Sequence, residues 1–324
     1  MFIAQAFKSY HEWWRYLVGI IVVFVATQLG SIPFAVAAGA KMVSEGGSIA
    51  DLDNMSKLMT ILDSNLTLFL MLLSFAVGLG ALLLMIKYLH QQPLVEATTT
   101  RKKIDWSRFW VGFGLIAITT IVLTGIDFYT NPQDYEVQFQ WGPFLVLALI
   151  VLIFIPLQTS MEEYLFRGYL MQGIGVLAKN KWVPLLITSL IFGALHLANP
   201  EVDKLGNVIM VYYIGTGLLL GIMTLMDEGL ELALGFHAGN NLIAALLVTA
   251  DWTVFQTNSI LKDVSEPSAG FDVILPVLIL YPIFLLILAR IYKWNNWTDK
   301  LFGKVEEPVI VSDEIHKENI EKHL

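Results

Sequence analysis

Eight stretches of this chain, each seventeen or more residues long, contain no Asp, Glu, Lys or Arg: 16–40, 64–86, 109–126, 137–161, 182–200, 205–226, 232–250 and 273–289. A helix crosses a bilayer with about 20 apolar residues and tolerates about 17. Inside hydrocarbon only helices and closed barrels satisfy their own backbone. The expected fold is therefore all-α, a polytopic membrane protein of about eight transmembrane helices. Composition agrees, with 56% hydrophobic and 15% charged residues, where a soluble domain carries about 25% charged. A ninth uncharged run, 168–178, is too short to cross alone.

Charge placement orients the spans. With the N-terminus inside, the inner segments hold Lys8, Arg15, Lys87, Arg101, Lys102, Lys103, Arg108, Arg167, Lys179, Lys181 and every basic residue from Arg290 onward. The outer loops keep only Lys41, Lys57, Lys204 and Lys262. That bias is a positive-inside pattern, with both termini cytoplasmic and the inner membrane of a bacterial cell as the expected location. The net charge of −8 comes from acids gathered in outer loops (Asp51, Asp53, Asp63, Asp127, Asp134, Glu136) and in the tail. Nothing in this pattern points to nucleic acid as a partner; the lipid bilayer is one. There is no cysteine, which removes disulfides, thiolate ligands and a cysteine nucleophile. Ala35-Val36-Ala37 resembles a signal-cleavage site, yet the uncharged run before it exceeds a signal h-region of about 7–15 residues, so the first span reads as a retained anchor. Residues 1–292 form a membrane domain and 293–324 a cytoplasmic tail, polar and expected to be disordered or loosely helical beyond 305.

Three clusters place polar groups inside these apolar stretches: Glu162-Glu163 with Arg167, Phe192 with His196, and His237 with Asn241. Such groups are costly in hydrocarbon unless paired or used, and three together imply one buried polar site. On a helix Glu163 and Arg167 are i, i+4 with the acid first, the favourable order for an ion pair. Glu162 projects about 100° away and keeps no such partner, which suits a desolvated general base. The bland alternative is that both acids cap a helix and face water. His196 alone is more often an interhelical hydrogen-bond partner than a catalyst. His237 and Asn241 share one helix face and either bridge helices, bind a metal or donate to an oxyanion. Together an acid, two histidines and an amide suit water activation. The alternative is a divalent metal such as zinc, held by Glu162, His196 and His237 with water in the fourth position. Asn240 is a weaker candidate. His11, His90, His316 and His323 fall in loops or termini and read as solvated. No HExxH, Walker or GxSxG motif occurs. The Gly217/Gly221 and Gly235/Gly239 pairs read as close helix packing.

The ordered trio resembles the CAAX-processing and bacteriocin-processing (CPBP, or Abi) family of intramembrane proteases, whose pattern is EExxxR, FxxxH, then HxxxN on successive membrane helices. The resemblance covers about 140–250. It implies an endopeptidase acting on a membrane protein or peptide, in which Glu162 activates water with His196. His237 and Asn241 form the oxyanion hole, and Glu163 and Arg167 support them. Members are described both as metalloproteases and as metal-independent glutamate proteases; the amide at Asn241 favours the latter. A prenylated substrate is not expected for a chain of bacterial appearance. A non-catalytic bacteriocin-immunity or scaffold protein on the same fold is the main rival. A proton-coupled transporter is the second, weakened because no repeated half is visible.

One local expectation concerns the chain path. Pro156 should bend or end the fourth span, and Ser160 with Glu163 three residues on forms a capping box that starts a fresh helix near Met161. Glu162 then falls at the inner end of span four, whereas His196 falls late in span five, towards the outside.

Overall fold

The computed structural model describes residues 1–46, 59–267 and 270–307. The loop carrying Asp51, Asp53 and Lys57, and the tail beyond 307 with His316 and His323, lie outside them. Nine helices organise the rest: α1 (Trp13–Ser44), α2 (Ser64–Leu84), α3 (Trp106–Thr130), α4 (Trp141–Glu163), α5 (Met171–Ala178), α6 (Trp182–Ala194), α7 (Ile209–Asp227), α8 (Glu231–Leu247) and α9 (Tyr281–Tyr292). Every uncharged stretch holds a helix. Among the described residues, six helical segments are long and apolar enough to cross a membrane: Trp13–Ser44, Ser64–Leu89, Trp106–Thr130, Trp141–Ala178, Pro200–Asp227 and Val273–Tyr292. The remaining two stretches carry α6, of 13 residues, and α8, of 17. Both are flanked by longer helices, so they reach into the molecule without needing to span it alone.

Local chemistry sets the helix ends. Asp63 caps α2 by accepting from the backbone N–H groups of Asn65 and Leu66, and Asp105 caps α3 through Ser107, each satisfying amides that have no intrahelical partner. Single left-handed residues, Lys179, Glu228 and Lys293, terminate α5, α7 and α9, the usual way to stop a helix in one step. The 88–106 loop contains one short helix, Leu94–Thr98.

The fourth span departs from expectation. No helix restarts at Ser160: Trp141–Glu163 is one α-helix that runs through Pro156. A π-helical stretch, Tyr164–Leu170, and then α5 extend it, so the segment is 38 residues long. A proline is tolerated inside a membrane helix because neighbours and side chains satisfy the freed backbone groups.

Packing around α4 defines the core. Leu147, Val151 and Ile155 form one stripe on α4, buried against Leu68 and Leu72 of α2 and Leu242 and Ala245 of α8. The opposite face of α4 exposes Leu149 and Leu152, 62% and 60% accessible, an apolar surface of the kind a bilayer covers. Helix α8 packs most extensively on α3, running parallel to it. The contact is close because a side chain at Gly235 would collide with the Phe109 carbonyl, and one at Gly239 would crowd Phe113. Gly217 likewise lies against Ser189 of α6.

The two ends differ. At one, β1 (Tyr135–Val137), β2 (Val248–Ala250) and β3 (Leu261–Asp263) form a small sheet, with β3 central, antiparallel to β1 and parallel to β2. At the other, a charged cluster ties α3 to the α7–α8 turn. Arg101 pairs with Asp227 at 2.8 Å and Glu231 at 3.1 Å, while Arg108 also pairs with Asp227. Past Tyr292 the chain stays on this end, where Trp294 donates to Asp227 and Lys181 reaches Asp299. His90 is not solvated, as its loop position suggested. It is 2% exposed, with its ring nitrogens on the Tyr10 carbonyl and the Tyr169 hydroxyl, because the loop folds under the start of α1.

Candidate active site

The apolar stripe on α4 turns polar as it continues. After Leu147, Val151 and Ile155 come Gln158 and Glu162 at helical spacing, so the site grows out of the core packing between α4 and α8. Helix α8 runs antiparallel to α4 and supplies matching rungs. Asn241 Nδ2 donates to Gln158 Oε1 at 3.1 Å. One turn away, His237 Nε2 lies 3.4 Å from Glu162 Oε2. The Glu162 side chain is only 12% exposed, and its Oε2 is buried without a hydrogen-bond partner.

Glu163, one position round, takes a different role. Its Oε1 accepts from Arg167 Nη1 at 2.9 Å and from His237 Nδ1 at 2.8 Å. Both Glu163 and Arg167 side chains are fully buried. Arg167 also donates from Nη2 to the Gly217 carbonyl at 3.0 Å, and its guanidinium sits 4.7 Å from the Phe192 ring centre. The i, i+4 pair therefore joins three more elements: α6 through Phe192, α7 through Gly217 and α8 through His237. An ionised carboxylate only accepts, so the hydrogen between Glu163 and His237 resides on Nδ1. In the neutral imidazole this leaves Nε2 as an acceptor.

His196 reaches the same depth by a path that the sequence obscured. Phe192 packs against Phe166 at 5.4 Å and His237 at 6.0 Å between ring centres. Since α6 returns antiparallel to the long segment 141–178, one further turn brings His196 to the level of Glu162. At about 1.5 Å per residue, both residues lie roughly 20–25 Å from the 179–181 turn. The apparent conflict between inner Glu162 and outer His196 disappears because Glu162 sits well inside a 38-residue helical segment rather than at a span end. His196 makes no hydrogen bond to Glu162. Its Nδ1 meets the Phe192 carbonyl at 2.7 Å, and its ring stacks on Tyr213 at 4.3 Å.

The structure thus brings Glu162, Glu163, Arg167 and His237 into direct contact, sets Asn241 one turn along, and holds His196 at the rim. Asn240 bonds to Asn241 Oδ1 at 3.0 Å. Gln158 was not singled out by the sequence reading, although an amide four residues before Glu162 in an uncharged run was the available signal. For a metal, the candidate donors Glu162, His196 and His237 do not assemble. Among the described residues no group of three or more His, Asp or Glu side chains is placed to hold a metal ion.

The comparisons with known proteins converge on this region. Residues 140–243 match the family model described as type II CAAX prenyl endopeptidase Rce1-like. The chain is also similar to an uncharacterized protein, YyaK, of Bacillus subtilis (strain 168), with 29% identity over 243 residues, 75% of this chain and 80% of that protein. No solved structure matches. The matched segment contains α4, the buried Glu163–Arg167 pair, the Phe192–His196 turn and the His237–Asn241 face, and over that third of the chain the sequence is similar to the Rce1-like CAAX endopeptidase model.

Proposed function

We propose that the chain is an intramembrane endopeptidase that cuts a membrane-associated protein or peptide with water activated by Glu162. The observation that carries this reading is the Glu162 carboxylate oxygen, buried without a partner and 3.4 Å from His237 Nε2. A partnerless acceptor in an apolar interior is costly, and a water molecule donating one hydrogen to Glu162 and the other to His237 or His196 relieves that cost. Glu162 takes the proton as the water oxygen bonds to the scissile carbonyl carbon. The C–N bond then breaks, and the same proton passes to the departing amine. Asn241 stands on the oxyanion side as an amide donor. His237 joins it through Nε2 when the ring enters the step already protonated there, its Nδ1 hydrogen being held by Glu163; the neutral ring instead accepts a hydrogen from the water. Glu163 and Arg167 position His237. The charged end around Asp227 faces the cytoplasm in this reading, following the distribution of Lys and Arg.

The test compares peptide termini, by mass spectrometry, in cells carrying the wild-type protein and cells carrying Glu162→Ala. New membrane-protein ends confined to wild type support the reading and name the substrate. Identical profiles at equal protein levels overturn it and favour a non-catalytic membrane protein on the same fold.

A further inference from the structure

Gln158 is 4% exposed and belongs to no part of the mechanism above. Its amide orientation follows from a relay. Asn240 Nδ2 donates to Asn241 Oδ1 at 3.0 Å, which directs Asn241 Nδ2 outward. That group donates to Gln158 Oε1 at 3.1 Å, which fixes the carbonyl side of Gln158 against α8. The Nε2 group is what remains. Among the described residues it makes no hydrogen bond, and it is not sealed off by neighbouring atoms. Packing the two helices together requires only the Oε1 contact, so this accessible donor is left available to a bound molecule.

Position supplies the explanation. Gln158 and Glu162 are i, i+4 on α4, so their side chains are neighbours about 5–6 Å apart at Cβ. Across from them stand Asn241 and His237, also i, i+4. A peptide carbonyl attacked by water at Glu162 would lie beside this quartet, and the oxygen that acquires charge needs donors. In the neutral state His237 offers none there, because its single hydrogen is on Nδ1 facing Glu163. Asn241 has already committed one amide hydrogen to Gln158. The oxyanion hole is one dependable donor short.

We propose that Gln158 is that donor: its Nε2–H bonds the oxyanion of the tetrahedral intermediate, with Asn240 and Asn241 holding the amide in the donating orientation. The proposal rests on the hydrolase reading above. Removing one preorganised donor of this kind lowers turnover by about 10²–10³-fold.

The experiment uses the full-length protein in lipid nanodiscs and a fluorescence-quenched peptide spanning the site that wild type cuts in cells and Glu162→Ala does not. Gln158→Glu keeps an acceptor for Asn241 and removes both donors. Gln158→Met keeps the shape and carries no charge, so a folding defect in one variant leaves the other to decide. The expected result for the folded variants is kcat lowered by about 10²-fold or more and KM within about twofold, with a small fall in melting temperature in Gln158→Met, whose side chain no longer accepts from Asn241. A folded variant with kcat within about threefold of wild type overturns the donor role and leaves the protease standing. So does a loss confined to KM, which marks a substrate-binding contact. If wild type and Glu162→Ala yield the same termini, the hydrolase reading falls and takes this proposal with it.

Discussion

Replacing Arg167 with leucine removes a cation that is fully buried between four elements of the fold. Three interactions go with it. The first is the 2.9 Å bond to Glu163, the second the 3.0 Å bond to the Gly217 carbonyl, and the third the contact with the Phe192 face. The carbonyl loss is small, because Gly217 sits inside a helix and its oxygen keeps a backbone partner. The dominant cost is Glu163, left as a buried anion without its counter-ion. Breaking a buried pair in this way costs about 3–5 kcal/mol. Two features favour the lower end. Arg167 Nε and Glu163 Oε2 are already unpartnered, so the pair is imperfectly satisfied, and His237 remains as a second donor to Glu163. About 3 kcal/mol corresponds to a fall in melting temperature on the order of 4 °C for a chain of this size. The assay is thermal unfolding of purified protein followed by intrinsic fluorescence, with the double variant Arg167→Leu/Glu163→Gln alongside. The double variant should recover most of the loss, since it removes the stranded charge. A single variant that melts within about 1 °C of wild type would refute the reasoning. So would a double variant that is simply the sum of the two singles, because residues in contact should couple.

Three further outcomes follow from the geometry. Glu162→Gln should abolish cleavage in the terminus-profiling assay while leaving the melting temperature unchanged, since Glu162 Oε2 has no hydrogen bond to lose; retained cleavage removes it as the base. Asn241→Ala should lower kcat about 10²–10³-fold, both by removing a donor and by releasing Gln158; a rate near wild type, measured on the same peptide, would detach the α8 amide from the chemistry. Gly235→Leu should prevent accumulation of folded protein, because the new side chain meets the Phe109 backbone; a monodisperse peak in size-exclusion chromatography at wild-type yield would show that α3 and α8 separate more easily than their packing implies.

Much of this architecture was legible in the residues. Long uncharged runs dictate helices because hydrocarbon offers the backbone no other partner, and all eight runs contain one. Glycines at 235 and 239 foretold a close helix crossing. The Glu163–Arg167 spacing foretold an ion pair, because helical geometry alone brings i and i+4 together. Local signals misled where tertiary context prevailed. Ser160 and Glu163 have the spacing of a capping box, yet a membrane interior favours continuing the helix over exposing free amides, and the chain stays helical through Pro156 to Ala178. His90 looked solvated because its burial comes from Tyr10 and Tyr169, which are distant in sequence.

The candidate site divides the same way. Sequence order nominated Glu162, Glu163, Arg167, His196, His237 and Asn241, because ionisable and amide groups stand out against apolar spans. Only the antiparallel packing of α4 and α8 decided that His237 lies between two carboxylates and that Asn241 reaches Gln158, and only the packing of α6 on α7 that His196 stacks on Tyr213. The Glu163–His237 and Gln158–Asn241 pairings join residues 74 and 83 positions apart. Composition and periodicity specify which face of a helix is polar; the register in which two such faces meet is set by the side chains and glycines of the whole interface.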